Sequence, residues 1–271
     1  MALLQKKQER EALGAGQLPD DMGLLTGTFI MPYGKNRPSW FTNRKARWKL
    51  EKHRWWTRMY EVFALATWRY IYVRPRPRVK PFSTPALAKD LHHKMYTYFA
   101  AGNLDAIAPN LCPGLLSSLR ARMGRRPPTT YLKWTLHRHL SRPRLVSLRS
   151  TFVPGPKEET HYSRNGVIQA IIRIHSLQSL QSVKKVKVVE QGVTVLREVA
   201  VDSSGKEIPN APRPDNEEAS LSRAKETVEY IVLQSVLRRS KMAPWMVWGT
   251  AEETSLRKLE KEEKKERGEK S

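Results

Sequence analysis

Apolar residues recur at helical spacing in the first half of the chain and at strand spacing in much of the second half. From Arg44 to about Arg69, five apolar positions fall within one narrow stripe at about 100° per residue: Trp48, Trp55, Met59, Val62 and Ala66. Three arginines share a flank of that stripe: Arg47, Arg54 and Arg58. The pattern predicts a helix with one side that packs or stacks and a neighbouring side that meets phosphates.

A second helix is predicted to begin where Thr84 can cap and Pro85 can take the first helical position. Its apolar residues keep helical spacing: Leu87, Leu91, Met95 and Tyr98. Gly102 is expected to end it. The segment "NLDAIAPNLCPGLLSSLRARMGRR" then predicts a short helix, a break at proline and a further helix whose apolar positions are Leu115, Leu116 and Leu119.

Strand patterns follow in "RLVSLRSTFV" (144–153), "GVIQAIIRIHSLQSL" (166–180) and "ETVEYIVLQSVL" (226–237). In the second of these, four residues share one face: Ile168, Ala170, Ile172 and Ile174. The stretch "KVKVVEQGVTVLREVAVDSSGKEI" adds strand material with a turn at "SSG", and "PWMVWGT" (244–250) fits a last short strand. Helices followed by strands predict an α+β fold, with the helices on one face of a curved, mostly antiparallel sheet.

The chain divides by composition into three parts. Residues 1–83 form a basic N-terminal extension, made of a Gly- and Pro-rich arm, the Trp- and Arg-rich helix, and a strap with the sequence "RPRPRVKP" at 74–81. Residues 84–250 are predicted to form the α+β domain and to fold alone. Residues 251–271, with charges of both signs, are predicted to be a frayed, solvated helix.

The charge distribution points to a polyanionic partner, either nucleic acid or an acidic membrane surface. The chain of 271 residues carries a net charge of +23, and residues 35–149 alone hold 25 Lys and Arg with four acids, a net +21. The single cysteine, Cys112, excludes an intramolecular disulfide and suggests a reducing compartment. No apolar run approaches the roughly 20 residues that span a bilayer. The first residues resemble neither a secretory signal nor an intact mitochondrial presequence, so we expect that there is none or that it has been removed.

Residues 44–58, "RKARWKLEKHRWWTR", interleave seven Lys and Arg with three Trp and a single acid. Arg and Trp together suit RNA, because guanidinium groups pair with phosphates while flat rings stack on bases. The alternative is a helix that docks its Trp stripe on its own protein and leaves its charges in water. The residues predicted to bind RNA are Lys35, Arg37, Arg44, Lys45, Arg47, Trp48, Lys49, Lys52, Arg54, Trp55, Trp56, Arg58, Arg74, Arg76, Arg78, Lys80, Arg120, Arg122, Arg125 and Arg126.

No catalytic chemistry is assigned. The sequence contains no phosphate-cradling glycine loop, zinc knuckle or nucleophile elbow. Four histidines are candidates for an acid–base pair inside the fold: His137, His139, His161 and His175. No inward Asp or Glu beside a His is apparent, so none receives a role, and no metal or cofactor is expected. His92 and His93 show no ligand spacing, and Cys112 is taken as a small core residue.

The segments "ALAKDLHHKMYTYFAAGNLDAIAPNLCPGLLSSL", "RLVSLRSTFVP", "GVIQAIIRIHSLQSL" and "VEYIVLQSVLRRSKMAPWMVWGTAEET" carry a family resemblance. Over about residues 84–260 the chain resembles the Tim-forty-four-like domain family, a cone-shaped α+β fold akin to nuclear transport factor two. With its basic front half and its ending "WGTAEETSLRKLE", it is most similar to the fungal mitochondrial large-subunit L-forty-five ribosomal proteins, also described as membrane-associated ribosome receptors.

The resemblance implies a non-enzymatic, peripheral protein on the matrix side of the mitochondrial inner membrane. Its expected partners are mitochondrial large-subunit rRNA, neighbouring mitoribosomal proteins, the membrane surface and an Oxa-type insertase near the polypeptide exit, with no small-molecule substrate. A scaffold of the protein-import motor is the closest alternative, but it would need less RNA-binding charge. An enzyme that uses the interior of the cone is a third possibility.

Overall fold

The computed structural model describes residues 22–74, 76–127, 130–152, 165–190, 193–202, 205–208, 216–238 and 241–266. Its helices are α1 (Arg44–Thr67, continued by a wider π turn at Trp68–Tyr72), α2 (Thr84–Ala101), α3 (Pro113–Gly124), α4 (Glu217–Ser222) and α5 (Leu256–Glu266). Its strands are β1 (Thr130–His139), β2 (Arg144–Phe152), β3 (Gly166–Glu190), β4 (Val193–Ala200), β5 (Lys225–Arg238), β6 (Lys241–Met242) and β7 (Met246–Ala251).

The long strand β3 is the centre of the sheet. One edge of β3 pairs with β2 near its start and with β1 further along, and the other edge pairs with β5 and then β4. Strands β6 and β7 continue the sheet beyond β5, and all pairings between these strands are antiparallel. The sheet is curled, with helices packed against it. The predicted α+β fold with a curved antiparallel sheet is therefore confirmed.

The alternation predicted for β3 is confirmed. Its residues Ile168, Ala170, Ile172 and Ile174 lie in the main core with α2, α3 and the π turn. Ile171, which faces the other way, packs with Ile30 of the N-terminal arm. The arm thus covers the second face of the sheet, and β3 is buried on both sides.

Strand β1 is absent from the sequence prediction. Its sequence "TYLKWTLHRH" carries Lys, Arg and His, and nearly every side chain in it is half-buried instead of alternating between buried and exposed. The strand is held by its pairing with β3, from Thr130 opposite Lys184 to His139 opposite Ser176. Such long-range pairing leaves no periodic signal in the strand itself.

Helix α2 begins and ends close to the predicted residues. Gly102 adopts a left-handed conformation (φ 79°) and closes the helix, as expected. The capping role predicted for Thr84 is wrong, because its hydroxyl donates to the Lys80 carbonyl instead of accepting from the first turn. Cys112 is buried, as predicted.

The hydrophobic core crosses the predicted boundary at residue 83. Trp68, Val73 and Val79 belong to the same buried cluster as Ile168 and Ile231. The boundaries stay predictions, but this packing argues against a self-contained core within residues 84–250.

The C-terminal segment also packs on the protein. In α5, Leu259 is buried against Phe29 of the arm and Leu50 of α1. The expectation of a merely solvated helix is therefore wrong for the described part of α5, because one apolar residue anchors it beneath α1.

Candidate nucleic-acid interface

Helix α1 has one side that belongs to the core. Leu50 and Trp68 are fully buried, and the carboxylate of Glu61 accepts hydrogen bonds from the Ser147 hydroxyl and, at 3.4 Å, from the Leu148 amide of β2. Burial raises the pKa of Glu61, and these hydrogen bonds oppose the rise without cancelling it. The contacts fix α1 against the sheet and determine which side faces solvent.

The opposite side of α1 is an exposed aromatic face, which we define as Trp48, Trp55, Trp56, Tyr60 and Phe63. Each of these side chains is more than half exposed. The rings of Trp55 and Trp56 meet edge to face with centroids 5.4 Å apart. The three Trp side chains and their charged neighbours on α1 line a hollow of about 630 Å³. An exposed apolar patch rimmed by charge is typical of a binding surface.

Exposed cations surround the aromatic face. Four of the predicted RNA-binding residues on α1 are exposed: Arg44, Lys45, Lys52 and Arg58. Lys49 is less exposed and lies 3.6 Å from Glu260 of α5. Lys35, in the arm, is also exposed. The arrangement combines flat rings for stacking with mobile charges for phosphate contact.

The predicted Trp stripe therefore lies on the solvent side. The alternative, in which the stripe docks on the protein itself, does not describe the structure, because Leu50, Glu61 and Trp68 occupy the docked side instead. Tyr60 and Phe63 of the aromatic face were missed in the sequence. Their positions within one helical turn of Trp56 and Met59 were the available signal.

Three of the residues predicted to bind RNA instead converge on one carboxylate. Arg37, Arg47 and Arg54 approach Glu51 with N–O distances of 2.6, 2.8 and 3.0 Å. Arg47 is 6% exposed, so it does not present a charge at the surface, and its predicted phosphate contact is not supported by this geometry. The spacing that placed Arg47 beside the Trp stripe also places it next to the buried side of α1.

Exposed and buried residues alternate in the described part of the strap at residues 74–81. Arg74, Arg76, Arg78 and Lys80 are exposed, whereas Pro77 and Val79 are buried. Burial of Pro77 and Val79 anchors the strap on the protein, while the four charged side chains stay at the surface. The Arg76 guanidinium lies 5.3 Å from the centre of the Tyr70 ring.

The arginines at the end of α3 are on a separate element that packs on β7. Arg122 and Arg125 are exposed. Arg120 pairs with Asp105 at 2.6 Å, and Arg126 donates to the Phe99 carbonyl at 2.9 Å. Burial lowers the pKa of Arg126. Two of the four are thus engaged within the protein.

A buried polar cluster contradicts one sequence argument. The carboxylate of Glu229 lies 2.8 Å from His92 Nε2 and also accepts hydrogen bonds from Tyr96 and, at 2.9 Å, from Gln178. The statement that no inward acid lies beside a His is therefore wrong; the partner came from β5, far along the chain. Burial alone would raise the pKa of Glu229, but the hydrogen bonds from His92, Tyr96 and Gln178 hold it below its usual value.

The other histidine candidates are dispersed. His175 contacts Glu226 at 2.7 Å, and His137 contacts the Ser179 hydroxyl at 3.1 Å. Burial lowers the pKa of His139, and His161 lies outside the described residues.

In the part of the chain that the structure describes, no group of three or more His, Cys, Asp and Glu could hold a metal ion. Among the same residues, no helix combines the length and apolar character needed to cross a membrane.

Comparison with known proteins identifies the family. A sequence model of the MBA1-like protein family matches residues 20–204, which include the second part of the arm, α1, the strap and the sheet as far as β4. No curated protein matches the chain. The narrower assignment to the L-forty-five ribosomal proteins with a Tim-forty-four-like domain stays a prediction. Because the match covers more than half of the 271 residues, the chain belongs to the MBA1-like protein family, a mitochondrial ribosome-associated family.

Proposed function

We propose that this protein is a structural component of the mitochondrial large ribosomal subunit near the polypeptide exit. In this proposal it binds rRNA through the aromatic face of α1 with its surrounding cations, and it helps to hold the ribosome at the inner membrane toward an Oxa-type insertase. The observation that carries the proposal is the exposure of Trp48, Trp55 and Trp56 among Lys and Arg on a helix fixed to the core.

The chemistry of this face favours RNA. Stacking of a base on an aromatic side chain contributes about 1–3 kcal/mol, and it needs rings that are accessible and held in place. Packing of α1 on β2 holds the rings, so little order remains to be lost on binding. Phosphate contacts with Arg44, Lys45 and Lys52 would add binding free energy that depends strongly on salt concentration.

Membrane contact is assigned to the end of α1 and the strap. Val62 in α1, Ile71 in the π turn and Phe82 directly after the strap are exposed apolar side chains, and the cations of the strap are exposed as well. Each cation near an anionic lipid surface contributes about 1 kcal/mol, which supports peripheral attachment. Alkaline carbonate should therefore release the protein from membranes, and retention in the carbonate pellet would contradict this assignment.

We also propose that the protein is not an enzyme. The cluster around Glu229 has its carboxylate hydrogen-bonded to three side chains of the protein. These hydrogen bonds tie the carboxylate to His92 and Tyr96 of α2 and to Gln178 of β3, which suits a role in holding α2 to the sheet.

The RNA interface is tested by measuring binding of the full chain to structured RNA as a function of salt. The test variant replaces three exposed cations: Arg44→Gln, Lys45→Gln and Lys52→Gln. It should reduce the slope of log K against log salt concentration by about 2 units, at about 0.7–0.9 per lost phosphate contact. A control of equal charge change on other elements should leave the slope unchanged: Lys89→Gln, Lys94→Gln and Lys206→Gln.

Two substitutions on the aromatic face separate stacking from charge. Trp55→Ala with Trp56→Ala should weaken binding about tenfold or more at every salt concentration without changing the slope. Equal slopes for both triple variants, or unchanged affinity after loss of both Trp side chains, would overturn the proposed interface.

A further inference from the structure

A second cavity lies on the opposite, buried side of α1, between the helix, the arm and the sheet. Its volume is about 340 Å³, at the lower end of the range for small-ligand sites. Arginines from four different segments line it: Arg37 from the arm, Arg54 and Arg58 from α1, Arg144 from β2 and Arg173 from β3. Residues so far apart in the sequence are brought together only by the fold.

Two of these arginines are direct cross-strand neighbours. Arg144 of β2 is paired in register with Arg173 of β3. Like charges directly opposite each other destabilise a sheet. Across the cavity, α1 contributes Arg58, so three guanidinium groups face a common space.

Two of these three guanidinium groups have contacts other than ion pairs: Arg58 interacts electrostatically with Glu61, and Arg173 lies over the Tyr33 ring. Among the described residues, Arg58, Arg144 and Arg173 form no ion pair, in contrast to Arg37 and Arg54, which are held by Glu51. Arg173 lies 4.1 Å from the centre of the Tyr33 ring, which orients it, and its Nε is buried with no hydrogen-bond partner in the described structure. A buried donor without a partner is costly and calls for an acceptor.

The nearby carboxylates are already occupied. Glu61 lines the cavity but accepts from Ser147, and burial raises its pKa, which weakens it as a counter-charge. Glu253 accepts hydrogen bonds from the Tyr33 amide and the Tyr230 hydroxyl, each at 3.0 Å. The cavity therefore keeps an excess of positive charge.

The inner wall of the cavity is apolar. Met31, Leu145 and Val146 line it beside the arginines. Arg58 and Arg144 are exposed and lie at the opening, whereas Phe29 and Glu61 are buried at the inner end. A ligand that fits would carry an anionic group at the guanidinium groups and a compact organic part on the apolar wall.

We propose that this cavity binds a phosphate ester of about nucleotide size, with the phosphate held by Arg58, Arg144 and Arg173. Guanidinium groups pair with phosphate oxygens in a two-pronged geometry, and three from separate elements can surround one phosphate. A free nucleotide and the 5′-phosphorylated end of an RNA present the same chemistry. Arg58 borders both this cavity and the hollow at the aromatic face, whereas Arg144 and Arg173 line the cavity and not that hollow. Substitution of Arg144 therefore tests this site independently of the proposed rRNA interface.

The test is calorimetric titration of the full chain with adenosine monophosphate, pyrophosphate and adenosine. Adenosine monophosphate should bind with a stoichiometry of one, and adenosine, without a phosphate, should not bind. Arg144→Gln should weaken binding about tenfold or more. The matched control is Arg122→Gln, an exposed arginine on α3, which should leave binding unchanged.

A competition assay identifies the source of the phosphate, and a melting temperature shows whether the Arg144→Gln variant is folded. An RNA with a 5′-phosphate should compete with adenosine monophosphate better than the same RNA with a 5′-hydroxyl if RNA ends are a source, and equal competition would assign the site to free nucleotides. Arg144→Gln should melt at the same temperature as the wild type or higher without ligand, because it removes the repulsion from Arg173.

The proposal is overturned by absence of saturable adenosine monophosphate binding, or by an equal loss of binding in Arg122→Gln. Binding only to vesicles with anionic lipid or only to long RNA would also overturn it. Trp55→Ala with Trp56→Ala should not change nucleotide binding, so failure of this site and failure of the rRNA interface are distinguishable.

Discussion

Replacement of Trp68 by alanine tests whether α1 is an integral part of the fold. Trp68 is 2% exposed, its ring centre lies 6.3 Å from that of Phe152, and its Nε1 atom lies 3.4 Å from where a Cβ on Gly166 would be. Truncation of a buried Trp to Ala costs about 3–5 kcal/mol, from lost burial and from the cavity left behind. At about 2–4 °C per kcal/mol, the melting temperature should fall by roughly 6–20 °C.

Trp55→Ala is the matched control, because it makes the same change on a side chain that is 58% exposed. Its effect on the free energy of unfolding should stay within about 0.5 kcal/mol. Both variants are compared with the wild type by urea denaturation followed by circular dichroism, with similar slopes expected. Equal stability of Trp68→Ala and Trp55→Ala would refute the packing of this segment into the core.

Three other substitutions examine the buried polar groups and the C-terminal helix. Because the pKa of Glu61 is raised in the folded protein, its protonated carboxyl stabilises the fold at low pH, and this stabilisation is lost as pH rises through the folded pKa. The melting temperature of Glu61→Gln should therefore exceed that of the wild type at pH 7.5, and the difference should disappear below about pH 4.5. The pKa of Glu229 is lowered, so its carboxylate stabilises the fold at neutral pH and this stabilisation is lost in acid. Glu229→Gln should lower the free energy of unfolding by about 2 kcal/mol at pH 7 and by less as pH falls through the folded pKa, as measured by denaturation at several pH values. Leu259→Ala should cost about 2–5 kcal/mol in the same assay, and a change below 0.5 kcal/mol would mean that α5 does not pack as described.

Local patterns in the sequence predicted the elements whose burial repeats regularly. Ile168, Ala170, Ile172 and Ile174 alternate along β3, and Gly102 marks the end of α2 by its left-handed backbone. These signals lie within one element and need no knowledge of the partner. Strand β1 was missed for the converse reason, since its half-buried residues depend on the pairing with β3.

The site was predictable only in part. The excess of Trp and cations between residues 44 and 58 marked α1 as a binding helix, but not which side of it would be docked. Leu50, Glu61 and Trp68 determine that side through contacts with residues outside the helix, such as Ser147, which lies 86 positions from Glu61. Other long-range contacts bring Glu229 to His92 and gather Arg144 and Arg173 in one cavity. No spacing in the sequence predicts these contacts.

Sedimentation of the tagged full chain from mitochondrial lysate tests the central claim most directly. The wild type should migrate with the large ribosomal subunit at low and at high salt. The combined variant Arg44→Gln, Lys45→Gln, Lys52→Gln, Trp55→Ala and Trp56→Ala should move to the top of the gradient at high salt, while the control Lys89→Gln, Lys94→Gln, Lys206→Gln stays with the subunit. Migration of the combined variant with the large subunit as complete as that of the wild type, or a wild type that never enters the ribosomal fractions, would contradict binding through the aromatic face of α1.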